Sequence, residues 1–269
     1  MSLRIQNNVE AFNAQRQLVG NNDKLSKAME KLSSGYRINR AGDDAAGLAI
    51  SEKLRGQIGG LQQASRNASD AVSMVQTAEG ALNEVHSMLQ RVRELAVQYK
   101  NGTLSSNDQL SIQSEVNQLK SEIQRIGTDT EFNGTKLLNA TSTISFQVGA
   151  ADSQQITVAT ISVGAQVVST VFALSSVASQ TDIQQIDDAI NNISAARATF
   201  GAVQNRLEHT IANLASYQEN LTASESRIRD ADMASEMVAF TKFQILQQAG
   251  TSMLAQANQA PQSVLSLLR

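Results

Sequence analysis

The sequence predicts a mainly α protein: a long antiparallel, coiled-coil-like helical rod made from both chain ends, with a small β-hairpin region in the centre. Three observations carry this. Apolar residues recur every seven positions in two segments far apart in the chain. Between Leu137 and Thr181 the only charge is Asp152, in a stretch dominated by Ser, Thr and Val. The order of segments is also nearly palindromic about that stretch. Hydrophobic residues make up 41% of the chain but aromatic ones only 4%, with no Trp, so the core must be built from Ala, Leu, Ile and Val. Such side chains suit narrow seams between helices. Pro261 is the single proline, and few helices are forced to break.

The elements follow in order. Leu3, Ile5, Val9, Phe12, Leu18, Leu25, Met29 and Leu32 give an N-terminal helix with one apolar stripe, which "NRAGDDAAG" (Asn39 to Gly47) interrupts. A seven-residue row then runs Leu54, Leu61, Ala68, Val75, Leu82, Leu89, Ala96, with a companion at Ala64, Ala71, Ala78, Val85 and Val92. That predicts a long helix over about 46–100, with "GQIGG" (Gly56 to Gly60) as a local relaxation of it. A helix over about 106–127 carries Leu110, Val116, Leu119, Ile123 and Ile126 on one face. "TISFQV" and "QQITVATISV" alternate apolar and polar residues around the turn residues of "GAADS", which reads as a β-hairpin in a β-rich region of about 139–180; the remainder to Gln180 is strand or surface loop. The heptads return as Ile186, Ile193, Phe200, Leu207, Leu214, Leu221 and Ile228, predicting a helix over about 183–228. "SRIRDADMASE" then interrupts the pattern before a last helix. Antiparallel packing brings the termini together, and a helix of 45 residues alone spans roughly 70 Å.

Composition excludes several classes. The net charge of −3 and the absence of a basic, aromatic-laced patch argue against nucleic acid. With no cysteine there is no disulfide, thiolate metal site or cysteine nucleophile. No window reaches the ~20 apolar residues of a membrane span. The first residues lack the apolar core of a secretory signal, which leads to the expectation of a cytosolic protein, or one exported by a route that reads no cleavable signal. Asp43-Asp44, and Asp230 with Asp232 and Glu236, sit where helices restart and read as caps rather than metal sites. His86 and His209 have no partner at ligand spacing. No cofactor or catalytic motif is expected, and an enzyme is poorly supported.

The last segment carries the strongest functional signal. From Phe243 to Leu268 there is no charge, while Ile245, Leu246, Ala249, Met253, Leu254, Ala257, Val264, Leu265, Leu267 and Leu268 recur at helical spacing. The N-terminal stripe is too narrow to cover this surface, so burial is expected against copies of the same chain, and a head-to-tail contact that does not close makes a helical filament. The predicted packing residues are Leu3, Ile5, Val9, Phe12, Leu254, Val264, Leu265, Leu267 and Leu268.

These residues closely resemble bacterial flagellin. The N-terminal match includes "MSLRIQNNVEAFNAQRQL", "LSSGYRINRAGDDAAGLAISEKLRGQIGG", "LQRVRELAVQ" and "FNGTKLL"; the C-terminal match includes "SRIRDADMASEM" and "QILQQAGTSMLAQANQAPQSVLSLLR". The resemblance implies a short flagellin with an inner core domain from residues 1–45 and 229–269 and an outer rod domain over 46–228. It implies a secreted subunit of the extracellular flagellar filament, with an export chaperone, the type III export apparatus, and the filament cap and hook-junction proteins as partners. It also implies recognition of the monomer by the flagellin-sensing Toll-like receptor of animals through Gln90, Arg91, Leu95 and Glu115. A hook–filament junction protein shares the family's end segments. A membrane-active effector would carry Lys and Arg along its tail, which this one lacks before Arg269.

Overall fold

The computed structural model describes residues 8–164, 167 and 181–267, with side chains as far as Gln259. The chain divides into two compact units, residues 1–56 with 220–269, and residues 57–219.

The first unit joins the chain ends. Helix α1 (Val9–Ser34) starts at Asn8, whose Oδ1 accepts the Ala11 N–H at 3.1 Å, and it stops at Gly35. There φ is 75°, a left-handed conformation that costs glycine no Cβ clash, and the Gly35 N–H closes the last turn on the Lys31 carbonyl at 2.8 Å. Helix α5 (Met233–Leu267) starts at Asp232, whose carboxylate accepts the N–H groups of Ala234 and Ser235. The two helices pack antiparallel: Asn8 Nδ2 donates to the Ala257 carbonyl at 2.7 Å, Leu18 lies against Gly250, the Lys24 ammonium sits 5.9 Å from the Phe243 ring centre, and Lys31 pairs with Glu236 at 3.9 Å.

Between α1 and helix α2 (Ala45–Tyr99), Asp43 accepts the N–H groups of Asn39 and Arg40. Asp44 caps α2 by accepting the Gly47 N–H at 2.9 Å. Backbone hydrogen bonds from Arg40 and Asn39 hold the Asp43 carboxyl below the usual aspartate range. Both carboxylates therefore serve the backbone, as their placement beside a helix start requires.

Arg229, the last residue of helix α4 (Thr181–Arg229), ties the unit together. Its guanidinium lies 4.9 Å from the Tyr36 ring centre and 2.5 Å from Glu52 Oε1, and its carbonyl accepts the Arg37 N–H at 2.7 Å. The Ala231 N–H donates to the Gly35 carbonyl, and Arg37 Nη2 donates to the Ile228 carbonyl. Three segments, the end of α4, the Tyr36–Arg37 connection and α2, thus meet on one half-buried arginine. Sequence reasoning did not single it out; its signal is a lone "RIRD" beside a helix break.

The second unit is a helical bundle with its core along the heptad rows. Leu61, Ala64, Ala68, Ala71, Val75, Ala78, Leu82, Val85, Leu89, Val92 and Ala96 on α2 are all buried, opposite Ile186, Ile193, Phe200, Leu207 and Leu214 on α4. The ion pairs Lys100–Asp182, Arg93–Asp187 and Glu79–Arg197 show that position falls along α4 as it rises along α2, so the two run antiparallel. Helix α3 (Ser106–Asp129) begins with a reciprocal cap: Ser105 Oγ accepts the Asp108 N–H, and the Asp108 carboxylate accepts the Ser105 N–H at 3.0 Å. Its buried face is Ile112, Val116, Ile123 and Gly127. Leu110, predicted on that face, is 68% exposed. It lies about 200° around the helix from Ile112, and the face that meets α2 is the one continuing through Val116.

Two hairpins follow. Strands β1 (Glu131–Phe132) and β2 (Thr135–Lys136) pair antiparallel around Asn133 and Gly134, whose φ values of 49° and 78° make a tight primed turn. The chain then buries Leu137 and Leu138. Strands β3 (Thr143–Gln147) and β4 (Gln155–Ala159) form the expected hairpin, with Ile144 opposite Val158 and Phe146 opposite Ile156. Its tip rests on α2. Asn67 Nδ2 donates to the Gln147 carbonyl at 3.0 Å, and Ala150 sits where a Cβ on Gly60 would come within 3.1 Å. "GQIGG" is thus not a relaxation of the helix, which runs through it unbroken; Gly60 is the bare site that admits the hairpin tip. Residues 165–180, read as strand or loop, lie outside the described residues except Val167, which is buried.

Candidate assembly and recognition surfaces

In the α1–α5 pair the half-buried positions trace one stripe on each helix. On α1 they include Ala11, Ala14, Leu18, Leu25 and Leu32, around fully buried Ala28; on α5 they include Ala239, Phe240, Phe243, Gln247, Gly250, Leu254 and Ala257. Steps of three and four residues place each set on a single face. The stripes are lean in large side chains, so the pair closes tightly but narrowly. Among the described residues the other large apolar side chains of the pair are turned outward: Val9, Phe12, Val19 and Met29 on α1, and Met233, Met237, Val238, Ile245, Leu246 and Met253 on α5, are each 38–69% exposed. Val9 and Phe12, read from sequence as one stripe with Leu18, Leu25 and Leu32, therefore fall on a different side of α1, while Met29 is exposed beside that stripe. Ala11, Ala14 and Ala28 together with Leu18, Leu25 and Leu32 meet α5.

Of the sequence-predicted packing residues, Val9 and Phe12 are exposed and Leu254 is half-buried at the α1 contact. Leu3, Ile5 and Leu268 lie outside the described residues, as do the side chains of Val264, Leu265 and Leu267, although α5 itself runs to Leu267.

The second surface lies on α2 and α3. Arg91 Nε donates to Glu115 Oε1 at 2.9 Å across the two helices, and Arg91 Nη1 meets Glu94 at 3.1 Å. The hydrogen bond to Glu115, then that to Glu94, raises the Arg91 guanidinium above its ordinary value, so it is a permanent cation. Gln90 projects one position away and its Nε2 lies 3.0 Å from His86 Nε2. His86 Nδ1 is buried without a partner. An amide N–H donor facing Nε2 assigns the neutral ring's proton to Nδ1. Gln90, Arg91 and Glu115 are thus brought together on one exposed patch. Leu95 is not: at 2% exposure it is part of the core beneath.

Among the described residues no cluster of three or more His, Cys, Asp or Glu is placed to hold a metal ion, and no helix is long and apolar enough to cross a membrane.

Comparison with known proteins places the chain in a family. The bacterial flagellin N-terminal helical region matches residues 5–143, and the bacterial flagellin C-terminal helical region matches residues 183–268. The chain is 54% identical to a flagellin of Halalkalibacterium halodurans, with 98% of this chain and 99% of that one aligned. It is 52% identical to a flagellin of Bacillus subtilis over 99% of this chain and all of that one. The crystal structure of Bacillus cereus flagellin superimposes with a TM-score of 0.53 at 35% identity, covering 60% of this chain and 94% of that one. On these matches the chain belongs to the bacterial flagellin family, whose members are structural subunits of the flagellar filament and not enzymes.

Proposed function

We propose that this flagellin polymerises by burying the outward apolar faces of α1 and α5 against other copies, with residues 1–45 and 229–269 as the inner core domain and 46–228 as the outer domain. The observation that carries the reading is the set of ten large apolar side chains left exposed on the pair, from Val9 and Phe12 to Ile245 and Met253. A monomer rarely keeps so much apolar surface without an occupant. Each such side chain, once covered, is worth about 1.5–3 kcal/mol, and the gain recurs with every subunit added. In this reading the packing continues through Leu3, Ile5, Val264, Leu265, Leu267 and Leu268.

The protein is secreted and works outside the cell. An export chaperone covers the uncharged tail before passage through the type III apparatus, and cap and hook-junction proteins bound the growing filament. Support for a chaperone is the tail's composition: an apolar segment with no charge from Phe243 to Leu268 is a poor solute on its own.

Recognition by the animal Toll-like receptor uses Gln90, Arg91 and Glu115, a polar patch with a fixed cation at its centre. Leu95 acts from below, by packing the α2 face that presents them.

Replacing Val238 and Ile245 together by Asp tests the assembly surface. Both are more than 60% exposed, so the helices should keep their circular dichroism and melting temperature. Seeding with filament fragments should then give no sedimenting polymer. Normal filaments from this variant would reject the α5 face as an assembly contact.

A further inference from the structure

We propose that Met29, Met233, Met237 and Met253 form a peroxide-sensitive modification site whose oxidation reversibly blocks assembly. The inference rests on the assembly reading of α1 and α5 above. It starts from where the methionines are. Met29, Met233, Met237 and Met253 are 54, 47, 51 and 64% exposed, all on the α1–α5 pair. In the second unit, Met74 is 4% exposed and Met88 packs against the core. An exposed thioether reacts with a hydroperoxide at a rate set by access, so the pair is oxidised first.

The step is a two-electron oxidation. A sulfur lone pair attacks one peroxide oxygen, the O–O bond breaks as the S–O bond forms, and the departing hydroxide takes the proton and leaves as water. Sulfur is oxidised and the peroxide reduced. The product is a sulfoxide: polar, chiral and a strong hydrogen-bond acceptor in place of a flexible apolar group.

Location gives the reaction its consequence. Val238 and Ile245 share the exposed surface of α5 with three of these thioethers. A sulfoxide buried there puts a strong acceptor where a thioether asked for no hydrogen bond. Leaving such a group unsatisfied weakens the contact about tenfold for each site buried. The fold survives, since none of the four side chains belongs to a core.

Full-length monomers treated with dilute hydrogen peroxide, mapped by peptide mass and then seeded with filament fragments test this. The four methionines should each gain one oxygen before Met74 does, and elongation should fall at least tenfold without loss of helical circular dichroism. Methionine sulfoxide reductases of both epimer specificities, with a dithiol, should restore it. Peroxide treatment should change the elongation rate of the variant M29L/M233L/M237L/M253L by less than twofold relative to the same variant left untreated. Oxidised monomers that elongate at the untreated rate would overturn the proposal, as would a Leu variant inhibited as strongly as the parent. Should that variant not fold, the reductase arm decides: fully reduced parent protein that stays inactive also overturns it. Failure of untreated monomers to extend the seeds would instead remove the assembly reading, and this inference with it.

Discussion

Arg91 is a residue that the proposed recognition needs and that the fold hardly uses. It is half-exposed, and its pairs with Glu115 and Glu94 are surface ion pairs that solvent screens, so they add little to the fold. Its loss removes the cation that holds the patch together. Arg91→Ala should therefore lower receptor activation at least tenfold, about the cost of one contact hot spot, with the melting temperature nearly unchanged. Reporter-cell dose curves alongside thermal melts would check both halves. Glu52 is the opposite case, a carboxylate whose role is structural. The hydrogen bond from Arg229 holds its pKa below the ordinary value of 4.5. A depressed folded pKa means its stabilising contribution is complete above 4.5 and is lost as the pH falls through the lower folded value. Melting temperature followed through that acidic window should fall more steeply for the parent than for Glu52→Gln, which has no charge to lose there. Parallel curves would show that Glu52 does not couple to folding.

At the scale of elements, the contact between the β3–β4 hairpin and α2 depends on one missing side chain. A Cβ on Gly60 would lie 3.1 Å from Ala150 Cβ and 3.5 Å from its Cα, and backbone cannot swing aside as a flexible side chain would. Gly60→Leu should push the hairpin tip off α2 and break the Asn67 hydrogen bond to Gln147, destabilising the unit by about 1–3 kcal/mol as overpacking does. Hydrogen exchange should quicken in β3 and β4 while the far heptads around Leu82 and Leu89 stay protected. Unchanged exchange in the hairpin would refute a close contact there. The same three glycines of "GQIGG" could not be told apart from sequence, because Gly56 and Gly60 differ only in what lies across from them. By contrast, the turn at Asn133–Gly134 was legible: an Asn-Gly pair accepts positive φ at both positions, and the adjacent Glu131 and Lys136 close it with a salt bridge of 2.7 Å. Reading "FNGTKLL" only as a family motif hides that hairpin.

For the molecule as a filament subunit, the tail gives the sharpest test. Deleting "QSVLSLLR" (Gln262 to Arg269) removes Val264, Leu265, Leu267 and Leu268. If each of the four is buried against a neighbour, the loss at every subunit is about 1.5–3 kcal/mol per side chain. The truncated chain should form no sedimenting filaments after seeding. Residues 57–219 contain the heptad core and none of the deleted segment, so its melting transition should stay within error of the parent's. Long filaments from the truncated chain would show that these residues are not a main assembly contact.

The sequence by itself determined the helices, the two buried rows and the central hairpin, because period, cap and turn chemistry are local properties of the chain. Leu61 to Ala96 and Ile186 to Leu214 are buried where seven-residue spacing puts them, and Asp44 and Asp232 cap where a helix restarts. Only the tertiary structure decided which of several apolar faces was used. Leu110 or Ile112, Phe12 or Ala11, a glycine to loosen a helix or to admit a hairpin: each pair is equivalent along the sequence. Each is separated by a partner on another element: α2 for Ile112, α5 for Ala11 and the β3–β4 hairpin for Gly60. The physical reason is that apolar burial is non-directional. A stripe of hydrophobic residues states that something must cover it, and only the packed chain says what.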